Sequence, residues 1–435
     1  MSDILKNYAD SSSESSYETV EKVVKTGGVN IHQPFVARRE KLTEKAPTKK
    51  EENKKYRVTD TSLKAVVKVR GNQDREYVIP EFKLSDVGKF IDRSTVLYGV
   101  SGSGKTVSAK DIMFQMKDLF PRVYVFAPTN ESTGDYDGII PKAMIYEKVT
   151  LEKISDIYEY AKMAKSIYEN ANNLKILDKL FLRVASTKAK VHLRRMLDAY
   201  EKCLKRVTKQ EDDVGKKKEA CKELKEKFDN MLRGFYKKVI LPHKNRLKLM
   251  KLSDKEKFSL EYLQFNPRTL VIFDDAMTEV DKLIKKGHRE ENEVIQNFFF
   301  RGRHDKITQF YTMQSDKRLD AELRKNTFMS LFTSKSEAMA FFGRPANGFT
   351  LEEKKIAEAV VGIIFAEENQ KEFKKIIYIK DSKSPWQWYK AEQHETFIMG
   401  CPALRLLCKQ VEKKGSQFDK ENKFHDVFAK KIQGE

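Results

Sequence analysis

Residues 94–106 read STVLYGVSGSGKT, an apolar run that leads into a glycine-rich loop and ends in Lys105 and Thr106. The run at residues 94–100 is typical of a buried strand, and the apolar positions of residues 107–120 (VSAKDIMFQMKDLF) have helical spacing. Glycine lets the backbone curl until successive N–H groups point at one anion, and a following helix adds its positive end. The pattern G-x-x-x-x-G-K-[ST] between a strand and a helix therefore predicts a phosphate-binding loop.

The loop predicts ATP and Mg²⁺ as cofactors. The lysine charge suits the β- and γ-phosphates, and the threonine hydroxyl suits the metal ion. A glycine-rich surface loop without a ligand is the alternative interpretation. The predicted cofactor-binding residues, of which Lys105 is also catalytic and Thr106 also a metal ligand, are Gly99, Val100, Ser101, Gly102, Ser103, Gly104, Lys105 and Thr106.

Two aspartates end a second apolar strand, TLVIFDD at residues 269–275. Ligands of open α/β sheets bind at the carboxyl ends of the strands. We expect Asp274 to hold the Mg²⁺ shell and Asp275 to polarise an attacking water molecule. Apolar strands also end in aspartate at ordinary turns, so this interpretation depends on the phosphate-binding loop upstream.

Further apolar runs alternate with helical stretches, which predicts an α/β fold with a central, mainly parallel sheet. The last two runs can pair as a terminal hairpin. These runs are RVYVFAP (residues 122–128), KITQFYTMQ (306–314), FMSLFTS (328–334), IIYIKD (376–381) and WQWYKA (386–391).

The chain is basic, with a formal net charge of +20, and more than half of this surplus lies in residues 150–262. That segment is rich in lysine and nearly free of glycine and proline, and its apolar residues recur at three and four, which predicts amphipathic helices. The charge favours a polyanionic partner, nucleic acid first and an acidic membrane surface second. Excess lysine that only keeps the protein soluble is the alternative.

These patterns divide the chain into five segments. The serine-rich and then charged start predicts a disordered tail, because it offers little apolar surface to bury. The segments are a disordered tail (1–58), the N-terminal part of the core with the phosphate-binding loop (59–149), a lysine-rich helical insertion (150–262), the C-terminal part of the core (263–400), and a helical or flexible tail (401–435).

The cysteines and the apolar runs bear on location. The four cysteines are scattered without metal-ligand spacing, so a reducing compartment is expected and a zinc site is not. Neither a signal peptide nor a membrane-spanning run of about 18 apolar residues is expected, which predicts a protein that is not secreted. The cysteines are Cys203, Cys221, Cys401 and Cys408.

A third motif is FFFRGRHDKITQFYTMQ at residues 298–314. Gln314 ends an apolar strand and can contact both water and phosphate. Arg301 and Arg303 flank a glycine just before that strand, where an arginine could reach into a neighbouring subunit's site as a finger. A solvated basic turn and a contact to DNA phosphate remain equally open from the spacing alone.

Five motifs in order, GVSGSGKT, VYVFAPT, LVIFDD, RGRHDKITQFYTMQS and LRKN (residues 323–326), resemble the poxvirus-type DNA-packaging ATPases. These ATPases occur in large double-stranded DNA viruses, virophages and related transposons, within the FtsK–HerA class of DNA-pumping ATPases. The resemblance covers about residues 90–145 and 265–400. It implies a P-loop NTPase fold of the RecA/FtsK–HerA kind.

The resemblance also implies roles for single residues. It places the strand that ends in Gln314 between the phosphate-loop strand and the aspartate strand, with Gln314 as a sensor beside the γ-phosphate. The family's arginine finger precedes this strand, which favours Arg303, with Arg301 as the alternate. Arg324 and Asn326 match the family's R-x-N, whose role stays open.

Two departures from the family pattern stand out. Much of the wider class has glutamate at the position of Asp275, and compact relatives have no counterpart of residues 150–262. The insertion is therefore expected to be an arm that contacts a portal, a capsid or DNA, or else a solvated coiled-coil decoration.

Together the motifs predict an ATPase that moves double-stranded DNA and packages a viral genome into a preformed capsid. The expected partners are double-stranded DNA of any sequence, further copies in a homo-oligomeric ring (a pentamer or hexamer), and a capsid or portal protein. The expected location is the host cell cytoplasm or viral factory, or the virion. Two alternatives remain: a single-strand helicase or conjugation-type DNA pump, and a nucleotide-controlled assembly scaffold without DNA pumping.

Overall fold

The structure is a computed structural model that describes residues 66–70, 76–83, 88–210, 213–286, 289–316, 319, 321–366, 374–380, 382–394 and 397–413. Its strands are β1 (Val66–Arg70), β2 (Glu76–Pro80), β3 (Ser94–Tyr98), β4 (Arg122–Phe126), β5 (Ile145–Tyr146), β6 (Thr269–Asp274), β7 (Ile307–Met313), β8 (Met329–Phe332), β9 (Lys374–Ile379) and β10 (Trp386–Lys390).

Helices surround and extend this set of strands. They are α1 (Lys105–Met116), α2 (Asn130–Thr133), α3 (Leu151–Ala171), α4 (Leu174–Val184), α5 (Thr187–Gln210), α6 (Val214–Ile240), α7 (Lys244–Lys248), α8 (Asp254–Glu261), α9 (Met277–Lys286), α10 (Arg289–Gln296), α11 (Ala321–Asn326), α12 (Lys335–Gly343), α13 (Leu351–Ile364) and α14 (Pro402–Lys413).

Eight strands form one sheet in the order β10-β9-β8-β3-β7-β6-β4-β5, while β1 and β2 pair separately. The strands from β8 to β5 run parallel, and β9 and β10 add two antiparallel pairings at one end. The parallel strands are buried along their length, as their continuous apolar runs require. The expected fold class, an α/β P-loop fold with a mainly parallel sheet and additional helices, is confirmed.

The strand order agrees with the resemblance, since β7 lies between β3 and β6. The expected terminal hairpin is also present, as antiparallel β9 and β10. The helix after the loop occupies Lys105–Met116, so it starts and ends earlier than the expected residues 107–120. The predicted tail at residues 1–58 lies outside the described residues, as does the part of the predicted tail 401–435 that follows α14. The five-segment division stays a prediction.

Helix α3 packs on the sheet, because its residues Ile154, Ile157 and Tyr158 belong to the same apolar core as the strands. The buried apolar residues of α4 to α8 lie outside that core. They pack among themselves instead, as in the contact of the Phe181 and Tyr236 rings at 5.0 Å. The lysine-rich helices after α3 therefore bury a second, smaller set of apolar side chains.

Local sequence explains where these helices begin. A side-chain oxygen accepts a backbone N–H of the first turn, which satisfies a donor that the helix leaves open. The capping residues are Thr150 for α3, Asn173 for α4, Asp213 for α6 and Ser253 for α8.

Asp111 ties α1, the helix that follows the loop, to the end of the chain. Its carboxylate is fully buried. It accepts hydrogen bonds from the Tyr389 hydroxyl and from the Glu392 backbone N–H at 2.8 Å, and the His394 Nε2 atom lies 2.7 Å from it. Because a buried carboxylate needs partners, this contact fixes α1 against β10 and the segment after it.

Replacing Asp111 by alanine should therefore destabilise the fold. We expect a loss of about 3 kcal/mol in the free energy of unfolding, because buried donors lose their acceptor. Urea denaturation followed by circular dichroism measures it. In the control Glu159→Ala, which breaks an exposed ion pair with Lys162, the loss should stay below about 1 kcal/mol. Equal losses in both variants would contradict a structural role for Asp111.

Candidate functional site

The glycine-rich loop begins where three strands leave no room for a side chain. The Gly99 N–H donates to the Met313 carbonyl of β7 at 3.1 Å. A Cβ on Gly99 would lie 1.8 Å from the Thr333 hydroxyl oxygen, just after β8. Gly102 and Gly104 have φ of 73° and 87°, which side chains rarely adopt. The three glycines are thus required by contact or by backbone conformation.

Lys105 lies across the loop that precedes it. Its Nζ donates to the carbonyls of Gly99 at 2.8 Å and Val100 at 3.2 Å, and the side chain is 8% exposed. Since α1 begins at Lys105, the open backbone donors of its first turn face the same loop. A phosphate there meets both a cation and a helix N-terminus, which is the chemistry that the sequence predicts.

The two aspartates meet one threonine of the neighbouring strand. Asp274 ends β6 opposite Thr312 of β7, and the Thr312 hydroxyl donates to the Asp274 carboxylate. The Asp275 N–H donates to the Thr312 carbonyl at 3.2 Å and to its hydroxyl oxygen at 3.1 Å. Thr312 thus orients both aspartates, a role that the sequence analysis missed although the residue lies within the KITQFYTMQ motif.

Asp275 carries two features of a functional residue. Its φ is 51°, in the left-handed region that residues other than glycine seldom occupy and aspartate tolerates better than most. Its Oδ1 atom is buried and has no hydrogen-bond partner among the described residues. An orphaned carboxylate oxygen at this edge suits a water molecule, whether free or bound to a metal ion.

Burial raises the pKa of the Asp274 carboxyl, and the hydrogen bond from Thr312 opposes that rise. The fold therefore disfavours the charged form unless a cation is close. Oxygen donors of this kind are the ligands that Mg²⁺ prefers, and the residues present fit a Mg²⁺–nucleotide group. Thr106 and Asp274 would hold the metal ion, and Lys105 the phosphates, while the metal ion would supply neutralising charge.

Gln314 follows β7 directly, next to Met313, whose carbonyl binds the first glycine of the loop. The strand order thus places it between the loop and the aspartates. The segment after Gln314 is anchored at Asp316, which is buried. Arg344 binds the Asp316 carboxylate through two hydrogen bonds of 2.6 and 2.7 Å, and Arg324 donates to the Asp316 carbonyl. Arg324 of the R-x-N motif therefore positions the chain downstream of Gln314.

Arg301 and Arg303 lie at the opposite edge of the sheet, before β7 starts. Both are exposed. Seven residues of β7 separate them from Gln314, which is about 20 Å of strand. The structure thus places Lys105, Asp274, Asp275 and Gln314 at one edge of the sheet and both arginines at the other.

The turn that carries these arginines is held firmly. Its glycine, Gly302, packs closely on Gln309, because a Cβ would lie 2.8 Å from the amide nitrogen that donates to the Phe298 carbonyl at 2.7 Å. The Asp305 carboxylate at its end accepts from Lys165 of α3 at 3.0 Å. The arginine side chains are therefore presented to solvent from a rigid turn.

Lys375 is a second lysine at the loop, and the sequence analysis missed it. Its Nζ donates to the Ser103 carbonyl at 2.9 Å, and its side chain is 5% exposed. Burial lowers the pKa of this amine. The residue lies in β9, about 270 positions from the loop in sequence, so only the fold reveals the contact.

Replacing Lys375 by methionine should weaken nucleotide binding about tenfold, because the Ser103 carbonyl loses a charged donor and the loop loses its brace. Fluorescence titration with a labelled ATP analogue measures this. The control is Lys380→Met, which removes a similar bond to the Lys325 carbonyl at 2.8 Å, away from the loop. Equal affinities in the two variants would show that Lys375 does not support the site.

Asp274→Asn should separate stability from activity. The pKa of Asp274 is raised in the fold, so the folded state holds this proton more tightly than the unfolded state, and stability falls as the pH rises through the folded value. Removing the charge should raise the thermal midpoint at neutral pH and abolish Mg²⁺-dependent hydrolysis. The thermal gain should vanish as the pH falls to the ordinary aspartate range. A lowered midpoint at neutral pH would contradict this account.

Two absences concern the part of the chain that the structure describes. Within it, no helix is long and apolar enough to cross a bilayer. The four cysteines, which all lie there, form no disulfide. No protein-family model matches the chain.

Similar sequences come from African swine fever virus. The chain is 31% identical over 370 residues to "Uncharacterized protein B354L" of isolate Warthog/Namibia/Wart80/1980, and the match covers 81% of this chain and 96% of that protein. The same values hold for the B354L proteins of isolates Tick/Malawi/Lil 20-1/1983 and Pig/Kenya/KEN-50/1950.

Three solved structures are similar at a low level. The pCW3 conjugation coupling protein TcpA (with ATPgS) has a TM-score of 0.31 and 12% identity, covering 81% of this chain and 71% of TcpA. EssC (ATPases 2 and 3) from Geobacillus thermodenitrificans has a TM-score of 0.26 and 12% identity, covering 84% of this chain and 50% of the EssC chain. VirB4 of Thermoanaerobacter pseudethanolicus has a TM-score of 0.30 and 13% identity, covering 69% of this chain and 89% of the VirB4 chain. The fold assignment above rests on the strand order and the loop geometry instead.

Proposed function

We propose that this chain, which belongs to the family of African swine fever virus protein B354L, is an ATPase that moves double-stranded DNA and packages a viral genome into a preformed capsid. One observation carries the proposal. Three adjacent strands, β3, β7 and β6, end at one edge of the sheet in the glycine-rich loop, in Gln314 and in the Asp274–Asp275 pair.

Hydrolysis follows from the chemistry of these groups. Lys105 and the N–H groups of the loop would bind the β- and γ-phosphates, and Thr106 and Asp274 would hold a Mg²⁺ ion that neutralises charge on them. Asp275, oriented through Thr312, positions the attacking water with its orphaned oxygen. Catalysis here consists of positioning and charge stabilisation, so rigid donors matter more than any covalent step.

Coupling to movement is assigned to Gln314. Its backbone follows Met313, which binds the loop, and the next anchored residue is Asp316, held by Arg324 and Arg344. Loss of the γ-phosphate changes what the Gln314 amide contacts, and this change passes into the segment that leads to α11. DNA-gripping segments of the ring would respond to that shift.

A neighbouring subunit completes the site in this proposal. Arg303, or Arg301 as the alternate, is too far from the loop of its own chain to act there, and a rigid turn presents it to solvent. An arginine at this position stabilises the charge of the transition state in the adjacent copy. The assembly is then a homo-oligomeric ring, a pentamer or hexamer, with a capsid or portal protein as its docking partner.

The polyanion is double-stranded DNA, and two observations support that choice. The net charge of +20 favours a phosphate-rich partner. The relatives are viral proteins, in line with the packaging motifs that the sequence resembles. Contacts should be to phosphate and independent of sequence, because a packaging motor must pass any base. The proposed location is the host cytoplasm or viral factory, or the virion.

Duplex DNA should stimulate ATP hydrolysis at least about tenfold, and Lys105→Ala should abolish the hydrolysis, because the transferred phosphate loses its cation. Phosphate release with and without duplex measures both. The control Lys117→Ala, at the far end of α1 where the amine lies over the Phe114 ring, should hydrolyse ATP normally. Single-stranded DNA is the comparison arm, and stimulation by single strands alone would contradict a duplex motor.

Mixtures of two inactive variants test whether neighbouring subunits share the nucleotide site. Lys105→Ala and Arg303→Ala should each be inactive alone, and equimolar mixtures should regain part of the activity, because some interfaces pair an intact loop with an intact arginine. Arg301→Ala is run in parallel to decide between the two arginines. Two inactive variants that never complement each other would contradict an arginine acting between subunits.

A further inference from the structure

Helices α5 and α6 form an antiparallel pair that extends from the second apolar cluster. The ring of His192 lies 5.1 Å from Phe235, and the ring of Tyr200 stacks on Phe228 at 4.2 Å. The later residue of α5 thus contacts the earlier residue of α6, which shows that the two helices run antiparallel. Leu193, Leu197 and Tyr200 are buried in this seam, so the opposite face of α5 points to solvent.

That outward face of α5 carries a narrow row of five cations. Its cations are separated by seven, seven, four and three residues, which at 3.6 residues per turn keeps them within a sector of about 60°. All five are exposed, and they are Lys188, Arg195, Lys202, Arg206 and Lys209. We call these five residues the α5 stripe. The two acidic residues of the helix, Asp198 and Glu201, fall outside this sector.

The outward face of α6 is different. Glu219, Glu223 and Glu226 are exposed there at matching helical spacing. The Glu223 carboxylate accepts from Lys227 at 3.0 Å, so part of the α6 charge is balanced within the helix. Lysines that served only solubility would not need to be sorted onto one helix face.

The charges of the α5 stripe are not balanced in this way. None of its five side chains forms an ion pair or hydrogen bond with any residue that the structure describes. Along the helix the stripe runs about 30 Å, at 1.5 Å per residue, which is close to one turn of B-form duplex. Like charges held this close repel one another unless a polyanion lies against them.

We propose that the α5 stripe is a binding surface for the sugar–phosphate backbone of duplex DNA. This inference rests on the proposed function, because it takes duplex DNA as the partner, and it adds the surface that grips the duplex outside the nucleotide site. Ammonium and guanidinium groups on a rigid helix contact phosphates without reading bases, so the surface accepts any sequence. The insertion is then an arm that contacts DNA.

The test compares two variants that lose the same charge. In the stripe variant, Lys188, Arg195, Lys202, Arg206 and Lys209 become glutamine, which keeps helix propensity. In the control, five exposed lysines of the neighbouring helix become glutamine, namely Lys216, Lys218, Lys222, Lys225 and Lys227. Fluorescence anisotropy with a duplex longer than the stripe gives the affinity of the full-length protein at several salt concentrations, and circular dichroism checks the helices.

The stripe variant should bind duplex at least about tenfold more weakly than the control. The slope of log K against log salt should fall by up to about 4.5, since each of the five lost phosphate contacts removes about 0.9. Basal hydrolysis without DNA should match the wild type in both variants. Equal losses in the two variants would overturn the proposal, because they would reflect net charge alone. Wild-type affinity in the stripe variant would also overturn it and direct attention to an acidic protein partner.

The failure of this proposal can be told apart from the failure of the proposed function. If duplex DNA neither binds nor stimulates the wild-type protein, the proposed function fails and the stripe loses its ligand. If duplex DNA binds and stimulates the wild type while the stripe variant behaves like the control, the proposed function holds and only DNA binding by the α5 stripe is contradicted.

Discussion

Steric exclusion at Gly99 is the constraint on which the rest of the site depends. The backbone of this residue is bound to β7 on one side, and the Thr333 hydroxyl fills the space of a side chain. The loop can only leave β3 at this point and in this direction. The Lys105 ammonium, the first turn of α1 and the braced Ser103 carbonyl all take their positions from that exit. Because neighbouring parallel strands end at the same edge of the sheet, Gln314 and both aspartates lie at that edge as well.

Much of this edge was predictable, because its determinants are local. The phosphate-binding loop and the strand of Asp274 are each written in a few consecutive residues, and apolar runs indicate the buried strands. The position of β7 between β3 and β6 came from the resemblance, since no local pattern encodes strand order. Lys375 escaped prediction because its contact with Ser103 joins distant parts of the chain.

The insertion illustrates a second limit of sequence patterns. Helical periodicity predicts each helix, but it does not predict which element the apolar face of that helix packs against. Thus α3, which the periodicity joins to the lysine-rich helices, shares the apolar core of the sheet, whereas α5 and α6 pack on each other. The sorting of charge between the two outer faces became visible only once the buried seam was known, because the seam defines which direction is outward.

The separation of the arginine turn from the glycine loop has a consequence for assembly. In the proposed ring, an arginine that serves the next copy makes a head-to-tail contact, which repeats in the same direction from each copy to the next. An open string of copies always ends with one loop that lacks an arginine and one arginine that lacks a loop. When the two ends meet and the assembly closes into a ring, the last nucleotide site is completed without any further subunit. Activity per subunit would thus report on closure, and a single blocked interface would leave an otherwise intact assembly one site short.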